Sequence, residues 1–326
     1  MRFIETWRQA TVVATRDLTP NIREFLLRPD GIAIASYPVG SHIDVGVSID
    51  DRPQTRCYSL VGEADRLGYR IAVRRAADSR GGSRYMWSLA PGARINITQP
   101  SSLVQLDWTR QHYCLIAGGI GVTPIVGAAQ ALARRGADVT LHYAVHSRND
   151  AAYLDALKAL LDDRLIVLAG DEGRRLDLDA LFASLPAETM ALCCGPMRML
   201  EAARHAWCGA GRALDDFRYE TFGSSGLLPT QAFRVRLKDE GTEIEIPRDR
   251  SLLEVLNEAG HEVMSDCRRG ECGVCAIDVV AFDGEVDHRD VFFSDHQKRE
   301  SRKICACVSR ARGTITVDTL HRADAT

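Results

Sequence analysis

The sequence predicts three domains in series: an antiparallel β-barrel, an α/β domain built on a parallel sheet, and a small β-grasp (α+β) domain. Three observations carry that prediction. Residues 1–107 read as short alternating runs broken by Gly and Pro, residues 108–222 alternate apolar runs with helical patterns, and five of the ten cysteines crowd between 267 and 307. A length of 326 residues, about twice the usual domain size, leaves room for all three.

The barrel is expected over 1–107. Its runs, such as His42-Ile43-Asp44-Val45-Gly46-Val47 and Arg94-Ile95-Asn96-Ile97, alternate with period two, the mark of half-buried strands. The α/β domain is expected over 108–224. Apolar runs at 113–117, 139–145, 165–169 and 190–194 alternate with helical patterns at 124–135, 151–162 and 197–207, as βαβ units do. A linker is expected at 225–231, where Gly223-Ser224-Ser225-Gly226 and Pro229 mark a hinge. The last domain is expected over 232–326: alternating runs at 233–238 and 242–246, a capping box from Ser251 to Glu254, a cysteine loop, and a closing strand at 314–317. The tail 321–326 is expected to fray.

Composition narrows the function. Lys and Arg number 41 against 44 Asp and Glu, for a formal charge of −3, so no basic excess marks a nucleic-acid binder. Hydrophobic residues at 45% and charged residues at 26% describe an ordinary globular chain. Residues 111–133 hold no Asp, Glu, Lys or Arg, but Gly118, Gly119, Gly121, Pro124 and Gly127 break that stretch into a strand, a turn and a helix, so no membrane span is expected. The first residues have no apolar core of a secretion signal, which points to a cytoplasmic setting.

In a reducing compartment ten cysteines are not five disulfides. Cys114, Cys193 and Cys194 lie in apolar runs and read as small buried side chains. Cys267, Cys272 and Cys275 stand as Cys-x4-Cys-x2-Cys, the spacing of plant-type [2Fe–2S] ferredoxins, which needs one more thiolate from far along the chain. Structural zinc prefers paired Cys-x2-Cys knuckles, and only one is present. Cys305 and Cys307 both qualify as the fourth ligand by spacing, since they alternate along one strand-like segment and would share a face.

Gly118-Gly119-Ile120-Gly121-Val122-Thr123-Pro124 follows a predicted strand and opens a predicted helix, with Thr123 suited to the N-cap and Pro124 to the first helical position. Such a turn brings backbone N–H groups close to a pyrophosphate. Cys194-Gly195-Pro196 forms a second strand-to-helix turn that would line the same crevice. In the barrel, Arg56-Cys57-Tyr58-Ser59 puts a guanidinium and an aromatic ring on one strand face, and Arg80-Gly81-Gly82-Ser83 forms an anion nest or a solvated turn.

These motifs in one chain, in this order, with Glu285-Val286-Asp287-His288-Arg289-Asp290 and Cys307-Val308-Ser309-Arg310, resemble the phthalate dioxygenase reductase family, which includes reductase components of vanillate O-demethylase-type Rieske systems. The likeness runs from about residue 7 to Leu320. It implies an oxidoreductase that binds FMN, NADH and a [2Fe–2S] cluster and passes electrons to a Rieske-type oxygenase component. It implies FMN contacts from Arg56, Cys57, Tyr58, Ser59, Ala72, Val73, Arg74, Arg80, Gly81, Gly82, Ser83, Thr123 and Phe222. It implies NAD contacts from Gly118, Gly119, Gly121, Cys194, Gly195 and Pro196, and cluster ligation by Cys267, Cys272, Cys275 and Cys307. Arg74 replaces the family's Lys, and Asp266 stands where a small Ser is usual.

The resemblance implies a converter in which NADH donates electrons as a pair and the cluster passes them on singly. The hydride and electron chemistry belongs to the cofactors, so no catalytic triad or base is expected. Another acceptor, a hydroxylase or a cytochrome, and a redox sensor are the alternatives. Arg148 could contact a 2′-phosphate and favour NADPH or lie on the surface, while Asp171 and Glu172 argue for NADH, as does the resemblance. Arg268 and Arg269 in the cysteine loop either dock an acidic face of the oxygenase or are solvated charges.

Overall fold

The structure, a computed structural model, describes residues 6–34, 36–76, 79–102, 104–222 and 228–319. The first five residues, the hinge 223–226 and the tail 321–326 lie outside the described residues. The chain divides into two compact units, Met1–Glu220 and Thr221–Thr326.

The first unit begins with strands β1 (Arg8–Thr19), β2 (Ile22–Pro29), β3 (Ser41–Ile49), β4 (Arg52–Ser59) and β5 (Tyr69–Arg74). Helix α1 (Gly82–Ser88) and strands β6 (Arg94–Ile97) and β7 (Ser101–Ser102) follow. They pair in the order β4-β3-β6-β1-β2-β5, with β7 on β3, and every pairing is antiparallel. A bridge from Leu60, just past β4, to Ile71 on β5 joins the two ends of the sheet into a barrel. Period-two alternation on β3 drives Ile43, Val45 and Val47 inward, where they meet Phe25, Leu27, Ile95 and Ile97. Each such buried side chain contributes roughly 1.5–3 kcal/mol. Asp50 and Asp51, with φ of 50° and 59°, form the two-residue turn that the twist of a β3–β4 hairpin favours.

The rest of this unit alternates strand and helix: β8 (His112–Gly118), α2 (Val122–Arg134), β9 (Asp138–Val145), α3 (Leu154–Leu161) and β10 (Leu165–Ala169). It closes with α4 (Leu178–Ser184), β11 (Met190–Cys194), α5 (Met197–Gly209) and β12 (Phe217–Glu220). The sheet order β10-β9-β8-β11-β12 is parallel throughout, so chain order reverses between β8 and β11. A ligand crevice is expected there, beyond the strands' carboxyl ends. The four strands and three helices predicted here are present; α4 and β12 were not predicted.

The second unit contains β13 (Phe233–Leu237), β14 (Glu243–Ile246), α6 (Leu252–Glu258), β15 (Ala276–Asp287), α7 (Asp295–Glu300), β16 (Lys303–Cys305) and β17 (Arg310–Asp318). Its sheet runs β14-β13-β17-β15-β16, parallel only between β13 and β17. Helix α6 opens with the predicted capping box, Ser251 and Glu254 each bonding the other's backbone N–H. Leu252 and Leu256 from this helix pack against Ile304, Ile315 and Val317, and the loop 259–275 joins that core through Val263 and Cys275. The architecture is a β-grasp.

Candidate redox centres

The cysteine loop surrounds one sulfur with amides. The backbone N–H groups of Arg269, Glu271 and Cys272 each lie 3.4 Å from Cys267 Sγ and donate to it. Gly270 (φ +77°) and Gly273 (φ +73°) permit the wrapping: a Cβ on the first would sit 2.6 Å from Val308, and on the second 2.2 Å from the Phe292 ring. The closing segment is held from behind. Asp290 accepts hydrogen bonds from the Ser309 hydroxyl at 3.0 Å and the Phe293 N–H at 2.9 Å, and the Ser309 hydroxyl in turn accepts from the Arg289 N–H. The two segments that carried the resemblance, 285–290 and 307–310, thus grip one another.

The thiols interact with one another. Hydrogen bonds from Cys305 and Cys307 pull the Cys275 thiol down to about 3, and that shared bond raises both of its partners. Burial pushes Cys272 up to about 11, with Cys267 adding to the shift. Cys307 senses the charges of both Cys275 and Cys267, whereas Cys305 senses those of Cys275, Cys307 and Asp290. Both Cys305 and Cys307 therefore stand within hydrogen-bond reach of Cys275, and Cys307 also meets the charge of Cys267. The expectation that Cys305 and Cys307 share a strand face is corrected: β16 ends at Cys305, and Cys307 lies in the turn after it. Among the described residues no three His, Cys, Asp or Glu side chains gather around a point fit for one metal ion. Three sulfur donors in the loop at this spacing, with further thiols at the end of β16 and the turn after it, fit a two-iron cluster better than a zinc tetrahedron.

On the barrel, Arg56, Cys57, Tyr58 and Ser59 end β4, and Ala72, Val73 and Arg74 end β5. The chain brings the first group to the Arg80–Ser83 turn. Arg56 donates to the Gln54 side chain at 2.6 Å and to the Arg80 carbonyl at 3.3 Å, and a Cβ on Gly82 would lie 2.7 Å from its Nε. Ser83 donates to Ser79 at 2.8 Å. A guanidinium laid across a Cβ-free backbone, with hydroxyls beside it, fits a flavin's terminal phosphate.

The nucleotide crevice is backbone built on backbone. A Cβ on Gly121 would lie 2.2 Å from the Cys194 carbonyl oxygen, and one on Gly118 would lie 2.7 Å from Pro196 Cδ. The turns after β8 and β11 therefore touch directly, as expected of a switch-point crevice. This contact starts α2 earlier than predicted: Gly121 is the N-cap, Thr123 is the second helical residue, and its hydroxyl donates to Ile120 O at 3.0 Å. The Tyr143 hydroxyl donates to Gly119 O at 3.2 Å, tying the end of β9 to the same turn. Ser59 donates to Glu220 Oε1 at 2.6 Å; both are buried, and the bond joins barrel and sheet.

The model of the 2Fe-2S iron-sulfur cluster binding domain family matches residues 235–312, and that of the oxidoreductase NAD-binding domain matches residues 115–205. The chain is 37% identical, over 95% of its length and 98% of the relative's, to a heme-dependent oxidative N-demethylase beta subunit of Ectopseudomonas mendocina. It is 35% identical to a carnitine monooxygenase reductase subunit of Acinetobacter pittii, covering 91% of this chain and 97% of that one. Its fold superposes on the solved phthalate dioxygenase reductase with a TM-score of 0.76 and 28% identity, covering 96% of this chain and 98% of that one. The chain belongs to the phthalate dioxygenase reductase family. It is an oxidoreductase whose cofactors are FMN, NADH and a [2Fe–2S] cluster.

Two residues of this reductase escaped the reading of its sequence. Glu220 ends the unpredicted β12; its signal was the run Phe217-Arg218-Tyr219-Glu220, which alternates in register with the neighbouring strand β11. Glu271, inside the cysteine loop, accepts from the Thr221 N–H at 2.8 Å and pairs with Arg269 at 3.1 Å. Burial raises its carboxyl, against the pull of Arg269 and that amide. Arg269 is 2% exposed, so the docking role expected of it is withdrawn, and only Arg268 of that pair faces solvent. Phe222, expected at the flavin, lies two residues past β12 at the start of the second unit.

Proposed function

We propose that this reductase takes a hydride from NADH at the β8–β11 crevice and delivers single electrons, through the cluster held by its cysteines, to a separate Rieske-type oxygenase component. The contact between the turns after β8 and β11 carries the reading, because it builds a pyrophosphate cradle beside the barrel residue Ser59 and its partner Glu220. Bound flavin supplies the exchange between paired and single electrons.

The residues of the chain bind and orient. Arg56, with Arg80, Gly81, Gly82 and Ser83, holds the flavin phosphate; Cys57, Tyr58, Ser59, Ala72, Val73 and Arg74 line its ring and chain. Gly118, Gly119 and Gly121 with Cys194, Gly195 and Pro196 hold the dinucleotide, Thr123 and Phe222 border the flavin, and Cys267, Cys272, Cys275 and Cys307 hold the cluster. Burial of Ser59 and Glu220 keeps their hydrogen bond out of water, which fixes the Ser59 side chain where nicotinamide and flavin must approach to about 3–3.5 Å. The domain limits are 1–107, 108–224 and 232–326, joined by a linker at 225–231. Ten free cysteines support a reducing, cytoplasmic setting. Among the described residues no helix is long and apolar enough to cross a membrane.

Mixing the NADH-reduced protein anaerobically with purified Rieske-type oxygenases and, separately, with haem oxygenases tests the acceptor. Fast reduction of a Rieske centre supports the proposal; reduction of haem alone overturns it. The second outcome is the alternative reading, favoured by the similarity to a subunit named for heme-dependent N-demethylation.

A further inference from the structure

The corner where β9 and β10 end carries a charge arrangement that the proposed reaction does not use. Short turns follow both strands, Arg148–Asp150 after β9 and Gly170–Glu172 after β10. The two turns are stitched together: Asp171 N–H donates to His146 O at 3.0 Å, and Arg148 Nε donates to Glu172 Oε1 at 2.6 Å. Asp171 adds its charge to the same guanidinium. One cation thus faces two carboxylates at this corner.

The corner belongs to the nucleotide crevice. Strand β9 lies beside β8, and the Tyr143 hydroxyl bonds the Gly119 carbonyl, so the end of β9 sits next to the pyrophosphate turn. In sheets of this kind the end of the second strand meets the adenosine ribose, where a carboxylate accepts from the ribose hydroxyls or an arginine receives a 2′-phosphate. Here the arginine stands at that strand end, but a carboxylate from the third strand occupies it.

We propose that the Arg148–Glu172 pair is the specificity gate that makes the chain choose NADH over NADPH. This rests on the crevice assignment above. Glu172, with Asp171, repels a 2′-phosphate and accepts from the ribose diol, and by engaging Arg148 it withholds the guanidinium that would otherwise bind that phosphate. Specificity here comes from a repulsive element as much as from an attractive one. Removing Glu172 therefore both lowers the repulsion and releases the arginine.

Calorimetric binding of ADP-ribose and of 2′-phospho-ADP-ribose to the full-length holoprotein tests this without turnover. The unaltered protein should bind ADP-ribose at least about tenfold more tightly, the scale of one charge-assisted contact. In Glu172→Gln the preference should shift towards the phosphorylated ligand by about tenfold or more, and NADPH oxidation should rise with it. In Glu172→Gln/Arg148→Met most of that gain should vanish. An unchanged ligand ratio in Glu172→Gln, or a gain that survives the loss of Arg148, overturns the gate while ADP-ribose binding still supports the crevice. Failure of the unaltered protein to bind ADP-ribose overturns the crevice assignment and the gate together. Both side chains are exposed, at 46% and 40%, so neither substitution disturbs the core.

Discussion

The glycine turns at 118–121 and 194–196 and the cysteine loop at 267–275 are both short loops proposed to aim backbone at a ligand, yet the tightest contact at each is of a different kind. The nucleotide turns are locked by main chain against main chain, Gly121 against the Cys194 carbonyl, at the ends of two parallel strands. The cysteine loop has no strand of its own. Side chains hold it together with two main-chain bonds, Val291 N–H to Gly270 O and Ala306 N–H to Cys275 O: Phe292 lies over Gly273, Val308 packs at Gly270, and Asp290 ties down Ser309. A loop of the first kind tolerates changes in neighbouring side chains and fails when a Cβ intrudes. A loop of the second kind fails one ligand at a time.

The largest effect should separate the two neighbouring thiols. Cys307→Ser should abolish bound iron and sulfide, while Cys305→Ser should retain both; iron and acid-labile sulfide per chain decide it. The reverse pattern would move the fourth ligand to Cys305. Next, Gly121→Ala should cost about 3 kcal/mol, the upper end of overpacking, and raise KM for NADH at least tenfold. Gly119→Ala, with open space around it but φ of +53°, should cost only about 1 kcal/mol. Denaturant midpoints and steady-state kinetics measure both, and equal costs would contradict a backbone-locked crevice.

In the cysteine loop, Gly273→Ala should cost about 2 kcal/mol, and adding Phe292→Ala should recover roughly half, because the clash is with a side chain. Recovery is the point of contrast, since no side-chain truncation can relieve Gly121→Ala. A smaller effect than that of Gly273→Ala is expected of Ser59→Ala, at about 1.5 kcal/mol for one buried hydrogen bond to a carboxyl group, read from thermal unfolding.

The same contrast explains what the sequence made legible. Cysteine ligands are side chains at a set spacing, so the proposed ligands Cys267, Cys272 and Cys275 stand out in the sequence itself. The choice between Cys305 and Cys307 could not, because it depends on where β16 stops and the turn begins. The βαβ alternation gave away the parallel sheet, but the start of α2 was misplaced by two residues, since the contact that sets it comes from Cys194, far along the chain. Glu220 and Glu271 were missed because their partners, Ser59 and Thr221, are remote in sequence. Arg269 looked like a surface charge only while its burial beside Glu271 was unseen.

Anaerobic titration of the full-length protein with NADH, followed by visible absorption together with iron and sulfide analysis, is the most direct test of one chain coupling a hydride acceptor to a single-electron carrier. Uptake of about three electrons per chain, two at the flavin and one at the cluster, is the predicted result. A flavin that bleaches while the iron–sulfur absorption stays oxidised, or a protein with flavin but no sulfide, would contradict it.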